Sequence, residues 1–139
     1  MKGKTLDELE LGQTAEYAKT ISEADVYLFA GVTGDMNPAH LNEVYAAGTQ
    51  FRTRIAHGML SAGLVSAVLG MQLPGPGSIY LSQSLKFTAP VRIGDTVTAR
   101  ATVREINREK RRVRLETVCV NQDGVVVLTG EALVRPPEA

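Results

Sequence analysis

Apolar and polar positions change rhythm along the chain. Thr14–Ile21 reads as a first strand. A helix is then predicted from Ser22, an N-cap type, with Glu23 and Asp25 in the first turn, where carboxylates suit the positive helix end. Val26, Leu28, Phe29, Ala30 and Val32 supply its apolar faces until Gly34, a left-handed C-cap candidate. Asn37 before Pro38 disfavours helix at Asn37 and removes a donor at Pro38, so the chain is expected not to re-enter helix at once. Asn42 caps a short second helix, Glu43–Ala47, which Gly48 ends. His57-Gly58 opens a long helix whose apolar residues surround the axis as far as Leu73, so covering on nearly every side is expected before Pro74 stops it.

From Ser78 the period becomes two. Ile79, Leu81, Leu85, Phe87 and Ala89 fall on one strand face. Val97, Ala99, Ala101 and Val103 repeat the alternation after Gly94-Asp95. A polar turn at 107–110 leads to a strand over about 111–121, Asp123-Gly124 signals a hairpin, and a last strand runs over 125–134. One buried helix followed by consecutive antiparallel strands predicts an α+β fold, a sheet curled around the long helix. So small a sheet leaves edges and an incomplete core, so a homodimer or higher homo-oligomer is expected.

Length and charge narrow the function. The 139 residues suit one domain, 1–139, with a real core. Fifteen basic and fifteen acidic side chains cancel, which argues against a nucleic-acid partner and leaves little self-repulsion against self-association. Residues 55–85 carry no formal charge, but the Pro74–Gly77 stretch divides them into pieces shorter than a membrane span. No apolar run follows Lys2 and Lys4, so no signal peptide is expected. Cys119 stands alone between Val118 and Val120, as a small inert core residue, and a reducing, cytoplasmic location fits.

Two stretches can carry chemistry. In TGDMNPAH, residues 33–40, the broken backbone can bring Asp35 and His40 to one water, a carboxylate base beside an imidazole that titrates near neutrality. The same residues also serve as ordinary turn formers. In HGMLS, residues 57–61, the N–H of Gly58 is an unpaired donor at a helix start, suited to a carbonyl oxygen that gains charge, and the missing side chain permits close approach. Tight helix packing explains Gly58 equally well. Ser66 reads as a core serine bonded to a backbone carbonyl, with support of the site as the other reading. Gln83 interrupts an apolar strand face, so it either lines the pocket or needs a partner. No G-x-S-x-G, C-x-x-C or Walker pattern occurs, and two histidines are few for a metal site, so none is expected. The basic run of Arg104, Arg108, Lys110, Arg111, Arg112 and Arg114 is diluted by Glu105 and Glu109, as on a solvated strand and turn; the phosphates of a nucleotide-bearing substrate are the other reading.

Together, SEADVYLFAGVTGDMNPAHLNEVYAA (22–47), AHGMLSAGLVSAVLG (56–70), LPGPGSIYLSQSLKFTAPVRIGD (73–95) and LTGEALV (128–134) resemble MaoC-like hot-dog proteins, specifically the (R)-specific enoyl-CoA hydratases. The resemblance covers nearly all of the chain after about residue 12. It implies a hot-dog fold, a long helix wrapped by an antiparallel sheet that also forms a dimer. It implies reversible addition of water to trans-2-enoyl-CoA, giving (R)-3-hydroxyacyl-CoA, with acyl-CoA as substrate and no cofactor or metal. Asp35 and His40 match the family's catalytic pair, Gly58 the glycine whose N–H polarises the thioester carbonyl, and Ser66 a supporting serine; Asn37 and His57 flank them in the matched segments. Ala39 and Gln83, with the Pro74–Gly77 loop, are placed against the substrate. Asn42 departs from the family's usual aspartate, and as a helix cap it is an adequate replacement. A hot-dog acyl-CoA thioesterase and a non-catalytic acyl-thioester binding protein are the competing readings. Acyl chain length, and CoA against acyl carrier protein, stay open.

Overall fold

The computed structural model describes all residues 1–139. Strand β1 (Thr14–Thr20) precedes helix α1 (Glu23–Thr33), two short helices α2 (Pro38–Leu41) and α3 (Glu43–Ala47), and the long α4 (Gly58–Met71). Strands β2 (Ile79–Gln83), β3 (Lys86–Phe87), β4 (Thr96–Asn107), β5 (Arg112–Val120) and β6 (Val126–Arg135) complete the chain. All pair antiparallel in one sheet of order β1-β4-β5-β6-β2, with β3 also on β6. This is the α+β arrangement expected, with the sheet wrapped around α4.

The alternation in the later strands is what closes the core. Val97, Ala99, Ala101 and Val103 on β4, Val113, Leu115 and Cys119 on β5, and Leu128, Ala132 and Val134 on β6 are all essentially fully buried. The small Ala99 and Ala101 let α4 settle closely on β4, its main partner in the sheet. Register shifts at Val103/Glu105 and Cys119/Val120 add local bend and twist, which helps the sheet wrap the helix. Cys119 is buried, its thiol facing the Ser61 carbonyl at 3.7 Å, and burial pushes its ionisation up to about 12. It is the inert thiol its neighbours predict.

Two expectations need correction. Pro38 does not delay the helix: it occupies the first position of α2, where a missing N–H costs nothing, and the Asn37 side chain caps that turn from the Ala39 N–H at 3.0 Å. Helix α4 is not covered all round. Leu60, Ser61, Leu64, Val65, Val68 and Leu69 face the sheet, but Met59, Gly63, Ser66 and Gly70 stay exposed, because the short, irregular β2 and β3 do not reach over that face. For the same reason Ile79, Leu81 and Phe87 are about half exposed despite sharing the apolar register of their strands. The Pro74–Gly77 loop packs on the start of the chain: its Pro74 and Pro76 carbonyls accept from the Lys4 and Gly3 N–H groups, pinning the N-terminal residues.

The basic run around the β4–β5 turn is largely spent on ion pairs, Arg104–Glu116, Arg108–Asp7, Arg111–Glu138 and Arg114–Glu105, as on a solvated surface. No helix is long and apolar enough to cross a membrane.

Candidate active site

Helix α1 delivers the chain to the site and stops there. Ser22 and Asp25 form a reciprocal capping box at its start, and Gly34 ends it with φ of 83°, a left-handed conformation that glycine adopts without steric cost. The next residues are held by their own side chains. Thr33 Oγ1 accepts from the Asp35 N–H, Asp35 Oδ1 from the Asn37 N–H, and Asn37 Oδ1 from the Ala39 N–H. This chain of turns fixes the spacing between Asp35 and His40 without a continuous helix.

The second half of the site comes from the segment before α4. Arg54 is buried and donates to Glu23 Oε1 at 2.8 Å and to the Tyr27 hydroxyl at 3.2 Å, tying this segment to α1. The Tyr27 hydroxyl, then Arg54, holds the Glu23 carboxyl below its ordinary range, and Glu23 in turn raises the Arg54 guanidinium. The Ile55 carbonyl accepts from His40 Nδ1 at 2.8 Å. A carbonyl can only accept, so His40 Nδ1 carries a proton. His57, 2% exposed, donates from Nε2 to the Asp35 carbonyl at 3.0 Å, and its ring lies against that of His40 with centroids 3.9 Å apart.

One donor atom from each of Asp35, His40 and His57 therefore lies within 4.8 Å of the others. Asp35 is exposed, His40 half-buried and His57 buried, so the cluster grades from solvent into the core. The very next residue is Gly58, the first of α4, whose N–H has no intrahelical acceptor, and His57 offers no side-chain cap. An apolar cavity of about 410 Å³ opens beside it, walled by Phe51, Ile55, Phe87 and Val91. Gly58 lines this cavity, while Asp35 and His40 connect to it through His57, the residue before Gly58.

The family model described as MaoC like domain matches residues 7–126. The (R)-specific enoyl-CoA hydratase of Rhodospirillum rubrum is 61% identical over 131 residues, which cover 94% of this chain and 90% of that protein. The chain belongs to the MaoC-like family. A second relative of this MaoC-like protein, the 3-hydroxybutyryl-CoA dehydratase of Methylorubrum extorquens, is 55% identical, with 95% of this chain and 83% of that one covered. Among solved structures, the (R)-hydratase from A. caviae involved in PHA biosynthesis superposes with a TM-score of 0.91 at 47% identity, over 93% of this chain and 98% of that one. The wrapped-helix architecture of this MaoC-like chain is accordingly the hot-dog fold.

The remaining predicted residues separate from this cluster. Ser66 is exposed on the open face of α4 and not a core serine; it shares a surface recess of about 440 Å³ with Gln83, Tyr80 and Leu85. Gln83 finds its partners within the sheet, donating to Thr117 Oγ1 at 2.9 Å and accepting from the Tyr80 hydroxyl. Ala39 lines neither recess; its carbonyl accepts from the Ile55 N–H, holding the two halves of the site together. Sequence reasoning missed Ile55, whose contribution is a backbone carbonyl, and Phe29, whose ring packs 4.6 Å from that of His57. Neither leaves a signature in residue type or spacing.

Proposed function

We propose that this MaoC-like protein is an (R)-specific enoyl-CoA hydratase, adding water to trans-2-enoyl-CoA to give (R)-3-hydroxyacyl-CoA and running in reverse as a dehydratase. The observation that carries the reading is the clustering of Asp35, His40 and His57, with His57 directly preceding the free Gly58 N–H at the head of α4 and its apolar cavity.

The Gly58 N–H donates to the thioester carbonyl oxygen, and the positive end of α4 adds to its pull on the electrons of the conjugated double bond. One water hydrogen-bonds to both the Asp35 carboxylate and His40, whose separation suits a single bridging molecule. As its oxygen bonds to the β-carbon, a water proton passes to Asp35, and the double-bond electrons move toward the carbonyl. His40 Nε2 takes that proton from Asp35 and returns it to the α-carbon on the same face, which restores the starting state. Only proton transfers and a neutral donor are required, so neither a metal nor a redox cofactor enters.

The working unit is a homodimer. Met59, Ala62 and Gly63 on the open face of α4 share one recess with Tyr80 and Leu81 of the sheet-edge strand β2, a surface that a second copy would cover.

The test is hydration of crotonyl-CoA and longer enoyl-CoAs, with chiral analysis of product, by wild type, Asp35→Asn and His40→Ala. Each variant is expected to lose at least about 10²-fold in kcat. Wild-type rates in a folded variant would refute the assigned role. Free thiol release without a hydroxyacyl product would make the protein a thioesterase instead.

A further inference from the structure

We propose that His57 is a positioning residue, a neutral imidazole that holds the Asp35 backbone and backs the His40 ring in the productive geometry. The inference rests on the acid–base roles given above to Asp35 and His40.

His57 Nε2 lies 3.0 Å from the Asp35 carbonyl, which can only accept, so the ring proton is on Nε2. Nδ1 is left buried with no hydrogen-bond partner. A proton added there would place an unpaired cation at a 2% exposed position, so Nδ1 stays bare. The ring is fixed by packing against Phe29, at 4.6 Å between centroids, and lies 3.9 Å from His40 with planes 32° apart. A neutral aromatic surface beside His40 accommodates the positive charge that His40 carries during turnover, whereas a second cation would oppose it. His57 therefore ties three things together: the peptide carrying the carboxylate, the ring that shuttles the proton, and Gly58, the next residue in the chain. It touches the reacting atoms only through these neighbours.

His57→Phe keeps the ring and removes the donor; His57→Gln keeps an N–H donor at about the reach of Nε2 and removes the ring. On crotonyl-CoA, kcat of His57→Phe is expected to fall about 10- to 100-fold while KM changes less than about threefold, with part of the loss recovered in His57→Gln. Nitrogen NMR of the imidazoles is expected to show His57 protonated at Nε2 and His40 at Nδ1 in wild type, and a mixture of His40 tautomers in His57→Phe. Wild-type kcat in His57→Phe, an effect confined to KM, or a wild-type His57 proton on Nδ1 would overturn the proposal. Should wild type fail to hydrate crotonyl-CoA, the functional reading falls by itself and the spectra decide the positioning role. Should His57→Phe fail to fold, His57→Gln and the wild-type spectrum decide it.

Discussion

The edge of the Phe87 ring lies so close to Gly58 that a β-carbon built on the glycine would stand 2.7 Å from it. Glycine at the start of α4 is thus required by packing as well as by access to its N–H. Phe87 is half exposed and walls the apolar recess, so the ring has room to move aside.

Gly58→Ala is therefore expected to cost about 1–3 kcal/mol in denaturant unfolding and to lower kcat/KM more than that loss of stability explains. Adding Phe87→Ala removes the clash. The double variant is expected to regain stability relative to Gly58→Ala while its kcat/KM stays low, because the methyl group still crowds the carbonyl site. Full recovery of activity in the double variant would mean that Gly58 serves packing alone.

Much of this architecture was legible in the sequence. Ser22 and Gly34 bound α1, Asn42 and Gly48 bound α3, and the alternation of β4, β5 and β6 located the core, because caps and period-two burial are local rules. The open side of α4 was not legible. A helix apolar all round looks buried all round, and only the sheet's actual reach shows that Met59, Gly63 and Ser66 are left uncovered. At the site, Asp35, His40 and Gly58 could be named from residue type and spacing. Two contacts that orient the histidines, to the Ile55 and Asp35 carbonyls, come from backbone atoms 15 and 22 residues away in the chain, and nothing in residue identity announces them.

The uncovered side of α4 continues onto β2, where Ile79 and Leu81 keep the apolar alternation without a covering layer from their own chain. A second copy supplies that layer in the proposed dimer. Leu81→Arg places a charge in the contact and is expected to yield a folded monomer by sedimentation velocity, at concentrations where wild type is dimeric. A wild-type monomer, or a dimer unaffected by the substitution, would remove β2 from the interface.

Cys119 offers a test of the core at alkaline pH. Burial pushes its thiol up to about 12, while in the unfolded chain a cysteine ionises near about 8.5. A folded-state value above the unfolded one gives a contribution that is complete below the unfolded value and is lost as pH rises toward the folded one. Stability is therefore expected to decline between about pH 8.5 and pH 12 more steeply in wild type than in Cys119→Ala, although the variant begins less stable because of the cavity it creates. Equilibrium unfolding at a series of alkaline pH values reads the difference. The same burial predicts that the native thiol resists disulfide reagents at pH 8 and reacts at once in denaturant. Rapid labelling of the folded protein would show that the layer between β5 and α4 opens readily, and with it the packing that holds Gly58 in place at the head of the helix.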